Sequence, residues 1–110
     1  MTGEHVGDTF SALADPTRRR VVALLSARDS VTASELAREL PVSRQAVAKH
    51  LAVLHDAGLA EPTRLGRETR YRLTPAPLVE ATGWMARVGS DWDRRLARLA
   101  ALVGDPPVSG

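Results

Sequence analysis

The chain has 110 residues and a formal net charge of +2, a length that fits one domain with a modest core. It contains no cysteine, which excludes disulfides, thiolate metal sites and thiol redox sensing. No apolar run approaches the roughly 18 residues of a membrane span, and the polar start is unlike a signal peptide, so we expect a cytoplasmic protein.

The first predicted helix ends shortly before the second begins. Val6, Phe10 and Leu13 recur at helical spacing and predict a first helix that ends near Leu13. Asp15 is a favourable N-cap and Pro16 suits the first helical position, so the second helix begins there as "PTRRRVVALLSAR". Because aromatic residues make up only 4% of the chain, we expect these helices to contribute Leu, Val and Ala to the core.

Two short helices follow, with a tight connection between them. Thr32 opens "TASELAREL", and Glu35 three residues later completes a capping box. Pro41 ends that helix, Ser43 caps the next one, "SRQAVAKHLAVLHDAG", and Gly58 supplies the left-handed residue that terminates it. Two helices joined this closely predict a helix-turn-helix.

The segment after this motif has the pattern of a two-stranded hairpin. "LAEPTRL" and "ETRYRLT" flank a predicted turn near Gly66. The second segment alternates its arginines with residues that can pack, so one face is expected to be charged and the other buried. Pro62 has no N–H for a strand ladder, which favours an edge position for the first segment.

A long amphipathic helix is predicted from about Pro77 to Val103. Its roughly 27 residues would measure about 40 Å, more than one small domain can cover, so we expect a homodimer. The predicted dimer interface combines the first and last helices through Val6, Phe10, Leu13, Trp84, Met85, Val88, Trp92, Leu96 and Leu99. Residues 1–103 are thus predicted to form one DNA-binding and dimerisation domain, and residues 104–110 a disordered tail.

The DNA-binding expectation rests on where the positive charge lies. Between Leu40 and Leu73, six Lys and Arg residues accompany three acidic residues, which indicates a polyanionic partner. On a helical wheel, Gln45, Ala48 and Lys49 face away from the core. Small residues allow close approach to a major groove, and Gln and Lys side chains can reach base edges.

The basic hairpin offers a second DNA-facing element, with Arg67 at its tip placed to follow the backbone or minor groove. A helix-turn-helix followed by such a hairpin is a winged helix, a mainly α fold with a small β wing. The predicted DNA-binding residues are Ser43, Arg44, Gln45, Ala48, Lys49, His50, Arg64, Arg67, Arg70 and Arg72. In a two-fold dimer they would recognise double-stranded DNA as an imperfect inverted repeat.

Three segments, "ALADPTRRRVVALL", "SELARELPVSRQAVAKHLAVLHDAGL" and "GRETRYRLTPAPL", resemble the ArsR/SmtB-type winged-helix repressors of bacteria. The resemblance spans roughly residues 9–103. It implies a homodimer formed by the first and last helices, recognition through the helix beginning at Ser43 and the wing around Arg67, and promoter repression relieved by a signal.

The chain departs from the metal-sensing members of that family. Those members carry a Cys-rich motif in the helix that here reads "SELAREL", or a carboxylate and histidine set on the last helix. Here the last helix has acidic residues but no histidine. The resemblance therefore does not carry metal sensing to this chain, and we expect no metal site and no cofactor. It resembles the cysteine-free branch of the family, whose inducers are often unknown or absent.

Several residues have a simpler structural interpretation. His50 can be a half-buried packing residue, the run Arg18–Arg20 a solvated or salt-bridged helix face rather than a DNA contact, and Trp84 and Trp92 packing anchors. The acidic residues form no spaced pair that indicates catalysis, so no enzyme activity is expected.

The alternative function is a winged-helix protein-interaction module, which would present apolar anchors where this chain has Gln, Lys and Arg.

Overall fold

The computed structural model describes residues 3–103, which form five helices and three strands. In chain order these are α1 (Gly3–Ala12), α2 (Pro16–Ala27), β1 (Val31–Thr32), α3 (Ala33–Glu39), α4 (Arg44–Asp56), β2 (Ala60–Leu65), β3 (Glu68–Leu73) and α5 (Ala76–Val103). The predicted order of helices and hairpin is confirmed, and the fold is a winged helix-turn-helix. The predicted tail at 104–110 lies outside the described residues.

Local capping signals start and stop the helices where the sequence predicts. The Asp15 carboxylate accepts the backbone N–H three residues on, at the start of α2. Thr32 and Glu35 form a reciprocal capping box at α3, and the Ser43 hydroxyl accepts a backbone N–H at 3.1 Å at α4. Gly58 ends α4 with a φ of +78°, a conformation that side chains disfavour.

The wing contains one strand more than the sequence predicts. The sheet order is β1-β3-β2, all antiparallel, and Val31 of β1 pairs with Tyr71 of β3. β1 has only two residues, too few to show the alternation of a strand. Its second residue, Thr32, also carries the N-cap signal of α3, so the sequence did not predict a strand here. The edge position that Pro62 predicts for β2 is confirmed.

The core consists of Leu, Val and Ala, as the low aromatic content predicts. Its buried members are Ala12, Val21, Leu25, Val31, Leu36, Leu40, Val47, Leu51, Leu54, Leu59 and Ala60. Three of them come from α4 and are fully buried. Burial of each such side chain stabilises the fold by about 1.5–3 kcal/mol, which fixes the rotation of α4 about its axis. The opposite side of α4 therefore faces outward.

Two arginines of the basic run bond to the end of the preceding helix. Arg18 Nε donates to the Ala12 carbonyl at 2.6 Å, and Arg19 Nη1 donates to the Leu13 carbonyl at 2.8 Å. These bonds satisfy carbonyls that a helix leaves open at its C-terminal end. These bonds tie the end of α1 to the start of α2. Arg19 and Arg20 are exposed, as the solvated alternative predicts, and contact of the run with DNA stays a prediction.

The long α5 helix packs against α1 and then extends beyond the core. The Phe10 and Trp84 rings meet edge to face, with centroids 5.8 Å apart. Val6 is only 4% exposed, so it is buried within the protomer and leaves little side-chain surface for the predicted dimer interface. None of the helices between residues 3 and 103 combines the length and apolar character that a membrane crossing requires.

Candidate nucleic-acid interface

The outward side of α4 presents the residues that the sequence predicts for base contacts. Gln45, Ala48 and Lys49 are all exposed, and so is Ala52 one turn further on. This side lies opposite the buried leucines and valine of the same helix. It combines long polar side chains with small ones, a surface that a major groove can approach closely.

The N-terminal end of α4 is open to solvent beside this face. Ser43, Arg44 and Gln45 are exposed there. The first N–H groups of a helix have no intrahelical acceptor, and the helix dipole places a partial positive charge at this end. A DNA phosphate placed there would receive backbone N–H donors together with the Arg44 guanidinium.

A groove of about 590 Å³ separates the helix-turn-helix from the wing. It is lined by Thr32, Ala33, Ser34, Glu35, Arg38, Arg44, Ala48, Arg67, Glu68, Thr69 and Tyr71. The groove thus brings Arg44, Ala48 and Arg67 from the predicted set together. Three arginines against two glutamates leave it positively charged.

Arg38 is a groove residue that the sequence did not predict. It lies on α3 and is exposed. A helical wheel does not distinguish an exposed arginine of α3 that binds a partner from one that is only solvated. Arg38 is seen to face the groove only when α3 is packed beside α4 and the wing. Gln45 and Lys49, in contrast, are exposed on α4 but do not line the groove.

The tip of the wing is a tight turn at residues 66–67. Gly66 has a φ of +63°, a conformation that residues with a side chain disfavour, and the adjoining Arg67 is exposed. Arg64 Nε donates to the Gly66 carbonyl at 3.1 Å and so lies along the turn. Its cross-strand partner is Thr69, a groove residue, so both belong to the same face of the sheet.

The remaining two wing arginines lie away from this groove. Arg70 is bound to Ser30, Glu35 and Glu68 within the protomer. Arg72 is exposed and, with Arg70, lines a recess of about 570 Å³ that shares no residue with the groove. Arg67 therefore lines the groove while Arg70 and Arg72 do not, and contact of each of these arginines with DNA stays a prediction.

α4 carries two histidines, of which the sequence predicts His50 as a DNA contact. His50 is half-buried, as the packing interpretation predicts. The pKa of Asp15, the N-cap of α2, is held below its usual range mainly by the Arg18 N–H that it accepts, with a smaller contribution from His50. His50 therefore lies near the junction of α2 and α4, and direct contact with DNA stays a prediction.

The part of the chain that the structure describes shows no metal-binding group. Among those residues, no three His, Asp or Glu side chains come together as a possible metal site. The glutamate and aspartates of α5 are thus not gathered into a ligand set.

Comparisons with known proteins identify the family. The Helix-turn-helix domain family matches residues 13–64. The HTH-type transcriptional regulator Rv2034 of Mycobacterium tuberculosis is 40% identical over 94 residues, which cover 86% of this chain and 84% of that protein. The transcriptional repressor SdpR of Bacillus subtilis is 31% identical over 80 residues, 73% of this chain and 88% of that protein.

A solved structure extends the match to three dimensions. The ArsR-like transcriptional regulator from Rhodococcus sp. RHA1 superposes with a TM-score of 0.82 at 41% identity, and the alignment covers 94% of this chain and 95% of that one. An alignment of this extent takes in most of the long terminal helix as well as the winged helix. The chain belongs to the ArsR family of winged helix-turn-helix, DNA-binding transcriptional regulators.

Proposed function

We propose that this chain is a homodimeric repressor that binds an inverted-repeat operator with α4 in the major groove. The observation that carries the proposal is the exposed face of α4, where Gln45 and Lys49 flank Ala48 beside an arginine-lined groove. Base-edge contacts specify a sequence and phosphate contacts position the protein, and this surface offers side chains for both.

The roles divide by position on the surface. Gln45 can pair with adenine edges, and Lys49 can donate to guanine acceptors. Arg44 at the start of α4 and Arg67 at the wing tip face the same groove, where phosphates on either side of the major groove would lie. Arg38 joins them as a third phosphate contact.

The dimer is proposed from the surface of α5. Beyond its contact with α1, this helix exposes a continuous series of large apolar side chains, Met85, Val88, Trp92, Leu96 and Leu99. Trp92 is 52% exposed, and the Arg95 guanidinium lies 5.7 Å from its ring centroid. Apolar patches of this kind mark interfaces, and pairing across a two-fold axis would bury them against a second copy.

Repression is the regulatory direction that we propose. The Bacillus subtilis relative is named a transcriptional repressor. A dimer seated across two successive major grooves would occlude a promoter. The interaction-module alternative would need large apolar anchors on the exposed side of α4, where Gln45 and Lys49 stand beside small alanines.

Selection from a random duplex library tests the proposal. The protein is expected to enrich an imperfect inverted repeat whose half-sites lie about 34 Å apart or a nearby multiple of a helical turn. Footprinting on the selected duplex is expected to protect both half-sites. Arg94→Ala, which removes an exposed charge of α5, is the control and is expected to select the same sequence.

Two outcomes would contradict the proposal. Enrichment of a single unrepeated half-site would reject the dimer but keep reading by α4. Failure to enrich any sequence, with binding that depends only on salt, would reject sequence reading altogether.

A further inference from the structure

In the outer part of the wing, at residues 68–69, β3 pairs with β2 on one side and with no strand on the other. β1 pairs with β3 only at Val31↔Tyr71 and Thr32↔Arg70. Beyond Arg70, the strands continue to the turn as a two-stranded ribbon. Two-stranded hairpins are marginally stable in water without further packing, so the position of the tip depends on what holds the base of the ribbon.

Arg70 lies at that base and bonds to three residues, of which Ser30 and Glu35 lie outside the hairpin. Its Nε donates to Ser30 Oγ at 2.7 Å, and its Nη2 donates to the Ser30 carbonyl and to Glu35 Oε1, each at 3.2 Å. Its Nη1 donates to Glu68 Oε1, also at 3.2 Å. The side chain is 22% exposed, so most of it is withdrawn from solvent.

Glu35 connects this cluster to the helix-turn-helix. The same oxygen, Oε1, accepts the Thr32 backbone N–H at 2.9 Å and the Arg70 guanidinium. The first contact is half of the capping box that starts α3. The pKa of Glu35 is lowered first by that N–H and then by Arg70, so the carboxylate stays charged at neutral pH.

We propose that Arg70 is a positioning residue that ties the wing to the start of α3 and thereby holds Arg67 on the same side as α4. Arg70 acts through Arg67 and does not itself contact DNA. The proposal rests on the proposed function, because it requires that Arg67 bind DNA.

Arg70→Lys separates positioning from charge. Lysine keeps the positive charge, but its three donors on one nitrogen cannot reproduce the four hydrogen bonds that three guanidinium nitrogens make. Hydrogen–deuterium exchange of the free protein is expected to be roughly three- to tenfold faster at residues 64–69 in this variant. Arg28→Lys is the matched control, because it disturbs an Arg–Glu pair with Glu39 that does not reach the wing, and it is expected to leave this exchange unchanged.

Glu35→Gln tests the link to α3. Glutamine can still complete a capping box at this position, so α3 keeps its cap while the ion pair with Arg70 is lost. Exchange at residues 64–69 is expected to accelerate as in Arg70→Lys. Wing exchange equal to wild type in Arg70→Lys would overturn the proposal.

Binding to the selected duplex tests the functional half. Arg70→Lys is expected to weaken binding roughly three- to tenfold although the net charge is unchanged. Arg67→Ala is expected to weaken binding in the wild-type background but by less than about twofold in the Arg70→Lys background, because the misplaced tip no longer contributes.

The outcomes separate this proposal from the one it rests on. Additive effects of the two substitutions would overturn the positioning role and indicate that Arg70 contacts DNA directly. If Arg67→Ala does not change DNA affinity in the wild-type background, Arg67 does not bind DNA. Arg70 then cannot act on DNA binding by positioning Arg67. Wing exchange would then still report whether Arg70 holds the ribbon.

Discussion

Gln45 and Lys49 lie four residues apart on the exposed side of α4, so they follow each other along one face of the helix. Ala48 lies beside them and lets the backbone approach a groove floor. The arginines of the neighbouring groove have a different environment, since they line a concave surface shared by α3, α4 and the wing. This separation predicts different consequences for substitutions in the two groups.

Gln45→Ala and Lys49→Ala are each expected to cost about 1–3 kcal/mol on the selected operator and to relax specificity at one base position. Arg67→Ala is expected to weaken operator and random DNA more evenly, because phosphates carry no sequence information. Fluorescence anisotropy with both duplexes measures the difference. Equal losses on both DNAs for all three variants would exclude base reading by α4.

The sequence predicted residues whose role follows from local pattern and missed those whose role follows from distant contacts. The caps at Asp15, Thr32 and Ser43 are each encoded within three or four residues, and the structure confirms them. Arg70 bonds to Ser30, 40 residues earlier in the chain, and no periodicity reports such a contact. The same limit applies to Arg18, whose acceptor lies in the preceding helix.

At the scale of the element, Ser43 caps α4 and also lies where a DNA phosphate would bind, and substitutions at this position can separate the two roles. Ser43→Ala is expected to destabilise the protein by about 0.5–2 kcal/mol through loss of the N-cap bond. Ser43→Asp is expected to keep stability, because aspartate caps as well as serine, but to weaken DNA binding, because it puts a negative charge where a phosphate would lie. Urea denaturation and DNA titration of both variants check this pair. An aspartate variant that binds DNA as wild type does would contradict the location of the DNA at this end of α4.

Carboxylates at the ends of α2 and α3 predict loss of stability in acid. The pKa of Asp15 is lowered by the Arg18 N–H, that of Glu35 by the Thr32 N–H, and that of Glu39 by its hydrogen bond with Arg28. Each pKa is lower in the folded than in the unfolded chain, so the stabilisation is complete at neutral pH. It is lost as the pH falls from about 4.5 through the lowered folded-state values.

Denaturation midpoints in urea at a series of pH values from 6 to 3 measure this effect. The wild-type midpoint is expected to fall below about pH 4.5, and Glu39→Gln is expected to flatten that fall while lowering the midpoint at neutral pH. A wild-type midpoint that is constant over this range would contradict the roles given to the three carboxylates.

Helices and strands with a long hydrophobic pattern were predicted from the sequence, and the shortest strand was missed. α5 was expected from Pro77 to Val103 and spans Ala76–Val103, because a 28-residue apolar stripe is a strong periodic signal. β1 was missed because it is two residues long and owes its pairing to β3. The hairpin was found from its turn and alternation, but which of its arginines line the groove depends on how the wing packs.

At the scale of the whole molecule, the protomer is elongated rather than compact. The radius of gyration is 19.6 Å and the longest extent 67 Å. A compact domain of about 100 residues has a radius of gyration near 13 Å. The excess comes from α5, which would be about 42 Å long at 1.5 Å per residue.

Binding of DNA by two such protomers predicts a steep dependence on salt. If the dimer neutralises about six to ten phosphates, affinity is expected to fall roughly 10³- to 10⁵-fold between 50 and 200 mM salt. Titrations of the selected duplex across this range measure the slope, and Arg67→Ala is expected to reduce it. A flat dependence would contradict the phosphate contacts assigned to the groove and the wing.

A charge in the centre of the α5 stripe is expected to separate the protomers. Leu96 is 46% exposed, so Leu96→Glu costs little in a single protomer but would bury a carboxylate in the dimer. The variant is expected to sediment as a monomer, keep the helical content of wild type and lose specific DNA binding. Arg94→Ala, on the polar side of α5, is the control and is expected to remain dimeric.

Sedimentation velocity of the wild-type protein with the selected duplex tests the central claim most directly, that two copies of α4 read one operator together. At micromolar concentration we expect a dimer in free solution and a complex of two protomers per duplex. A wild-type monomer that binds a single half-site tightly would contradict the claim.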